Sequence, residues 1–206
     1  MDRAGFIDSR VALMFTGIIE DLGVVARPGK SLLEIKVPAR MRRLPIGASL
    51  SVNGACLTVS KKKGGRLFFY LLKETRLRTN LARLGAGERV NLERPLKWKG
   101  RVGGHFVPGH VDGTGRVLEI KTTRSEKSFL IRPPADTRRF IREKGSIALN
   151  GVSLTVGKVR AGAFWAHAVP LTLARTNLGD LRVRDRVNLE ADRPAKSVPK
   201  KRKNLV

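Results

Sequence analysis

Apolar and polar residues alternate over short stretches through most of this 206-residue chain, the period-2 pattern of strands with one buried face. The stretches are 31–37 (SLLEIKV), 49–60, 66–72 (RLFFYLL), 88–93, 115–121, 128–132, 146–157, 163–169 and 187–191. Turn-forming segments separate them, among them Arg27-Pro28-Gly29-Lys30 and Lys61-Lys62-Lys63-Gly64-Gly65. Many short, evenly spaced strands predict an all-β fold of closed or nearly closed barrels. Helical stretches are few and short. PARMRRLP at 38–45 and PADTRRFIRE at 134–143 open on Pro, while 79–84 and 176–181 open on Thr-Asn, and both openings suit a helix start.

The strand pattern occurs twice. SLSVNGACLTV at 49–59 matches SIALNGVSLTV at 146–156, and the same offset of 97 pairs Thr75 with Thr172, Arg78 with Arg175, Thr79-Asn80 with Thr176-Asn177, and VNLE at 90–93 with VNLE at 187–190. Upstream, GIIEDLGVV at 17–25 matches GHVDGTGRV at 109–117 at an offset of 92. A period of about 95 residues is too long for a solenoid unit, so it predicts a duplicated domain with two similar ligand sites. The expected organisation is an N-terminal barrel at 14–110, a C-terminal barrel at 111–192, a disordered extension at 1–13 and a basic tail at 193–206. The seam is expected near 107–112, where Pro108-Gly109 interrupts the pattern.

Charge adds a second theme. Forty-two Lys and Arg stand against 17 Asp and Glu, a formal net charge of +25, and such a field attracts polyanions nonspecifically. The basic residues are scattered, however, and one Tyr and two Trp offer little for base stacking. No helix-turn-helix, zinc-finger or RNA-recognition signature accompanies them. No apolar run approaches the roughly 20 residues of a membrane span. The opening MDRAGFIDSRVAL lacks the pattern of a signal peptide, and a single cysteine, Cys56, fits a reducing cytoplasm.

Asn53-Gly54 and Asn150-Gly151 predict tight hairpins, since Asn-Gly readily adopts positive φ. On the strands that follow, alternation puts Cys56 and Thr58 on one face and Ala55, Leu57 and Val59 on the other. Cys56 and Ser153 are then equivalent, each a small polar side chain two residues from a threonine hydroxyl. From spacing alone the simpler reading is a small residue buried in a barrel, cysteine being among the most buried types. His105 and His110 lie in GRVGGHFVPGHVDG, where glycines let a backbone approach a ligand and imidazole suits proton transfer near neutral pH. A metal set of His105, His110, Asp112 and Cys56 lacks regular spacing to hold a polyhedron, so none is expected. His167 lies within a strand, where a structural hydrogen bond is the default. No GxSxG, P-loop or dinucleotide fingerprint is present.

MFTGIIEDLGVV, SVNGACLTV, KETRLRTNL, NLERPLKWKGRVGGHFVPGHVDGTGRV and GSIALNGVSLTV, in this order, resemble the alpha-chain riboflavin synthase family over about residues 14–192. The resemblance implies two six-stranded Greek-key β-barrels and a homotrimer held by a C-terminal helix. It also implies a cofactor-independent dismutation of two 6,7-dimethyl-8-ribityllumazine molecules, with a site formed between subunits. Carried over by position, His110, Ser153, Cys56 and Asp192 are the implied catalytic residues. Ser49, Thr58, Thr75, His105, Ser146, Thr155 and Thr172 are the implied substrate contacts. Pro108, Tyr70 and Leu171 depart from the family's usual residues beside the pockets. The segment 193–206 carries Pro194, Pro199 and a basic cluster where the family has an apolar helix. It is therefore expected to be disordered and to leave assembly to the barrels. Two rivals remain: a non-catalytic lumazine- or flavin-binding paralogue, and a basic nucleic-acid-binding barrel.

Overall fold

The computed structural model describes residues 14–192. The expectations for 1–13 and 193–206 lie outside the described residues. Twelve strands among them close into two antiparallel barrels. The first comprises β1 (Asp21–Arg27), β2 (Leu32–Lys36), β3 (Ser49–Val52), β4 (Ala55–Lys63), β5 (Arg66–Tyr70) and β6 (Arg89–Glu93). The second comprises β7 (Gly113–Thr122), β8 (Lys127–Arg132), β9 (Ser146–Leu149), β10 (Val152–Arg160), β11 (Ala163–Ala168) and β12 (Arg186–Ala191). Both have the same neighbour order, β1-β2-β5-β4-β3-β6 and β7-β8-β11-β10-β9-β12, each closed by its first and last members. The all-β tandem barrel read from the alternation is the fold.

Each barrel is filled by the inward half of its alternating residues. Leu33, Ile35, Leu50, Phe69, Val90 and Leu92 fill the first, and Phe129, Ile131, Ile147, Leu149, Phe164 and Leu189 fill the second. Burying each is worth about 1.5–3 kcal/mol. Alternation does not mark β1, whose one buried apolar side chain is Val25, whereas β7 continues past its own inward glycine through Leu118-Glu119-Ile120-Lys121. A Cβ on Gly23 would come within 2.7 Å of Ile35 and 2.9 Å of Leu92, and its counterpart Gly115 is hemmed in by Ile131 and Leu189, each at 2.7 Å. A side chain there would overfill the barrel.

The helices also differ in detail from the expectation. Leu81–Arg83 and Asn177–Asp180 are 3-10 turns, and each follows a short α-helix that the apolar pattern did not mark, α1 (Lys73–Arg78) and α3 (Pro170–Arg175). Neither helix buries a residue, so neither has a stripe to read. The 38–45 and 134–143 stretches contain only a 3-10 turn, Met41–Arg43, and the one-turn helix α2 (Ala135–Arg138).

The Asn-Gly hairpins do more than turn the chain. Asn53 and Asn150 have φ of 46° and their glycines φ of 81° and 80°, and the two turns pack against each other. A Cβ on Gly54 would lie 2.8 Å from Gly151 N, and one on Gly151 2.7 Å from Gly54 N. Around this contact six buried asparagines interlock about a pseudo-twofold axis. Asn91 N donates to Asn53 Oδ1 (2.9 Å) and Asn188 N to Asn150 Oδ1 (2.8 Å). Across the barrels, Asn91 Nδ2 donates to Asn150 O and Asn188 Nδ2 to Asn53 O, both at 2.8 Å. Asn177 N donates to Asn91 Oδ1 and Asn80 N to Asn188 Oδ1, both at 2.7 Å. The repeated asparagines thus lock the two copies into one body.

Candidate functional site

Cys56 and Ser153 face outward from their barrels, as the alternation places them. Ala55, Leu57 and Val59 point into the first core while Cys56 is half-buried and Thr58 exposed, and β10 repeats the pattern with Ser153 and Thr155. Strand pairing adds Ser49 opposite Thr58 and Ser146 opposite Thr155. Each barrel therefore carries an outer patch of small polar side chains beside an Asn-Gly turn. Thr75 and Thr172 are half-buried on α1 and α3, and their carbonyls accept the Thr79 and Thr176 hydroxyls at 2.6 Å and 2.7 Å.

Two loop segments cap these patches, and each crosses to the other barrel. Phe15 and Val107 exchange backbone hydrogen bonds of 2.8 Å and 2.9 Å, forming a small ribbon on the pseudo-axis. Beyond it Gly17, which leads into the first barrel, accepts a hydrogen bond from Ser153 N of the second. Gly109, which leads into the second, accepts one from Cys56 N of the first. Both bonds are 2.9 Å, and the glycines have φ of 75° and 82°. Buried carboxylates anchor the segments. Glu93 accepts from Thr16 N (2.6 Å), Thr16 Oγ1 (2.8 Å) and Gly17 N (3.0 Å), and Glu190 accepts from Gly109 N (3.1 Å). Burial pushes the Glu93 carboxyl above the usual carboxylate range, against the pull of these hydrogen bonds.

The two patches are alike in backbone and unlike in chemistry. At the second, His105 Nδ1 lies 2.7 Å from Ser153 Oγ. The approach is close because residue 104 is glycine: a Cβ there would strike Thr16 O at 2.2 Å and Ser153 Oγ at 2.8 Å. Burial holds the His105 imidazole below its ordinary value of 6.5, while the Asp192 carboxylate pulls it back up. At the first patch, burial pushes the Cys56 thiol up; a hydrogen bond with Ser49 opposes the rise and the Glu190 carboxylate adds to it. Cys56 is thus a neutral thiol near pH 7 rather than a ready thiolate.

Of the sequence candidates, Ser153, His105 and Asp192 come together, as do Cys56, Ser49 and Thr58. His110 does not join Ser153: it is exposed beside Gly109, on the Cys56 side. Nor does a metal set form. Asp112 Oδ2 accepts from Ala191 N (2.8 Å), and among the described residues no group of three His, Cys, Asp or Glu could hold an ion. His167 sits in β11 with Nδ1 2.9 Å from Ser128 Oγ, the structural role expected of it. Sequence reasoning gave no role to Glu93 and Glu190, although they close the duplicated VNLE motif. That repetition was their one signal.

The duplicated barrels have known relatives. The riboflavin synthase of Mycobacterium bovis is 40% identical over 90% of this chain and 96% of its own length, and that of Escherichia coli K12 is 36% identical over 90% of each. The chain belongs to the riboflavin synthase family. The lumazine binding domain model matches it twice, at residues 16–95 and 108–192, the two barrels described above. Among solved structures, LumP complexed with 6,7-dimethyl-8-(1'-D-ribityl)lumazine is similar at TM-score 0.78 and 25% identity, covering 86% of this chain and 99% of LumP. LumP complexed with flavin mononucleotide is similar at TM-score 0.77 and 26% identity, with the same coverage. No helix of the described residues is long and apolar enough to cross a membrane.

Proposed function

We propose that this protein is a riboflavin synthase. It binds one 6,7-dimethyl-8-ribityllumazine on the outer wall of each barrel type and transfers a four-carbon unit between them, giving riboflavin and 5-amino-6-ribitylamino-pyrimidinedione. Because one substrate molecule gains what its twin loses, the exchange needs no external oxidant, reductant or carrier group. The observation that carries the reading is the chemical inequality of two otherwise equivalent patches, Ser153 with His105 on one and a neutral Cys56 thiol on the other. A dismutation asks for this, since identical molecules must play different parts.

Ser153 with neutral His105 forms the proton-transfer centre. With Nδ1 accepting, the imidazole takes the hydroxyl proton as Ser153 Oγ engages the acceptor lumazine. Asp192 orients the pair and stabilises the imidazolium. The polar walls Ser146, Thr155 and Thr172, and Ser49, Thr58 and Thr75, hold the two ring systems, and His110 reaches the ligand on the Cys56 side. The reacting pair assembles between the first barrel of one subunit and the second barrel of a neighbour in a homotrimer. In support, Ile18, Trp98, Val102 and Phe106 are exposed apolar side chains on the segments flanking His105, a surface suited to a second copy.

Riboflavin fluorescence tests the activity: purified protein given the lumazine and a chelator should form riboflavin over many turnovers. The LumP complexes favour a binding-only reading as the rival, and stoichiometric quenching of lumazine fluorescence without product would establish it. The pH profile tests the proton-transfer centre. A depressed imidazole pKa keeps the neutral form down to lower pH, so the acid limb of kcat/KM should lie below 6.5. Asp192→Asn removes the carboxylate that raises this pKa, so the limb should move further down in pH. A limb that moves up, or stays fixed, contradicts the assignment.

A further inference from the structure

A cleft of about 1190 Å³ opens between the barrels, lined by Asn53, Asn80, Asn150 and Asn177 and by the turns that precede β6 and β12. It shares no residue with the patches around Cys56 and Ser153. Five arginines, Arg83, Arg89, Arg182, Arg184 and Arg186, line it against three carboxylates, Glu88, Asp180 and Asp185. Two of these carboxylates are held by their own turns: Glu88 Oε2 accepts from Gly85 N and Asp185 Oδ2 from Arg182 N.

The third shows where the duplication has been broken. Asp180 forms a two-pronged ion pair with Arg89. At the offset of 97, Arg186 is the counterpart of Arg89, and Arg83 is the counterpart of Asp180. The backbone keeps the symmetry: Asn177 Nδ2 donates to Arg89 O (3.0 Å), and Asn80 Nδ2 donates to Arg186 O (3.2 Å). The turn carrying Arg83 is therefore seated against Arg186 as the turn carrying Asp180 is seated against Arg89. Where one half of the cleft has an ion pair, the other has two guanidiniums. Among the described residues, Arg186 Nη1 reaches only the Thr114 hydroxyl, at 3.4 Å. Among the described residues, Arg83, Arg182 and Arg184 form no ion pair with a carboxylate.

We propose that this half of the cleft is a binding site for a compact, multiply charged oxyanion of the diphosphate class, held between Arg83 and Arg186 and supported by Arg182 and Arg184. Planar guanidiniums bind such oxygens in pairs, and the ligand supplies the negative charge that Asp180 supplies opposite. The site is separate from lumazine binding and does not depend on it.

Calorimetry with inorganic diphosphate at about 0.1 M salt tests the proposal on the full chain. The wild-type protein should bind one diphosphate saturably and gain several degrees in Tm at saturating ligand. Arg83→Asp gives Arg186 the carboxylate that Asp180 gives Arg89, so it should bind diphosphate at least tenfold more weakly while its ligand-free Tm stays level or rises. Arg186→Gln should weaken binding to a similar degree. Arg124→Asp, on the exposed β7–β8 turn, changes net charge as much as Arg83→Asp and should leave the affinity within twofold. Absence of saturable binding overturns the proposal, as does wild-type affinity in Arg83→Asp. Equal losses in Arg83→Asp and Arg124→Asp assign the effect to the diffuse +25 field and also overturn it. So does binding of a duplex oligonucleotide with none of diphosphate.

Discussion

His105→Ala should lower kcat by about 10²- to 10⁴-fold, the range of a lost general base, with a much smaller change in KM. The expectation follows from the 2.7 Å contact between His105 Nδ1 and Ser153 Oγ and from burial that keeps the imidazole neutral. Ser153→Ala should fall by a similar factor. The double variant should be little worse than either single one, because groups that act as a unit are not additive. His110→Ala should fall less, by about tenfold, since that side chain is exposed and sits on the Cys56 side. Steady-state kinetics with matched thermal melts distinguishes these outcomes from misfolding. A larger loss for His110→Ala than for His105→Ala would transfer the proton-transfer role to His110.

The largest expected effect on stability is at Asn91. Its side chain donates to Asn150 O and to Asn177 Oδ1, and accepts from Asn177 N. All of these groups are buried where the two barrels meet. Asn91→Ala leaves an amide and a carbonyl without partners at about 1–3 kcal/mol each, so the total loss should be about 3–5 kcal/mol and Tm should fall by about 10 °C. Calorimetric melting measures this. A fall under about 3 °C would show that water replaces the lost side chain and that the asparagine network does not hold the barrels together.

Much of the architecture was legible because duplication is itself a structural signal. The offset of 97 alone implies two similar sites and pairs Cys56 with Ser153, and the Asn-Gly pairs mark both hairpins. Alternation failed where the physics leaves no pattern. Strand β1 is short and buries one apolar side chain, Val25, and α1 and α3 bury nothing. The site was legible in its members and not in their pairing. Both histidines stand in one glycine-rich loop, and only the close approach permitted at Gly104 selects His105 for Ser153. The crossing of Gly17 to Ser153 and of Gly109 to Cys56 is a contact between copies, which no reading within one copy can contain. The broken symmetry at Arg83 was visible in the aligned repeats, but its consequence depended on knowing that Arg186 is the residue it faces.

A dismutation treats two identical substrates unequally. The ratio of lumazine consumed to riboflavin formed measures this most directly, followed by absorbance and chromatography until the substrate is exhausted. Two lumazines should be lost per riboflavin gained, with one ribitylamino-pyrimidinedione appearing in step. A ratio of one to one, or riboflavin appearing without the second product, would contradict it.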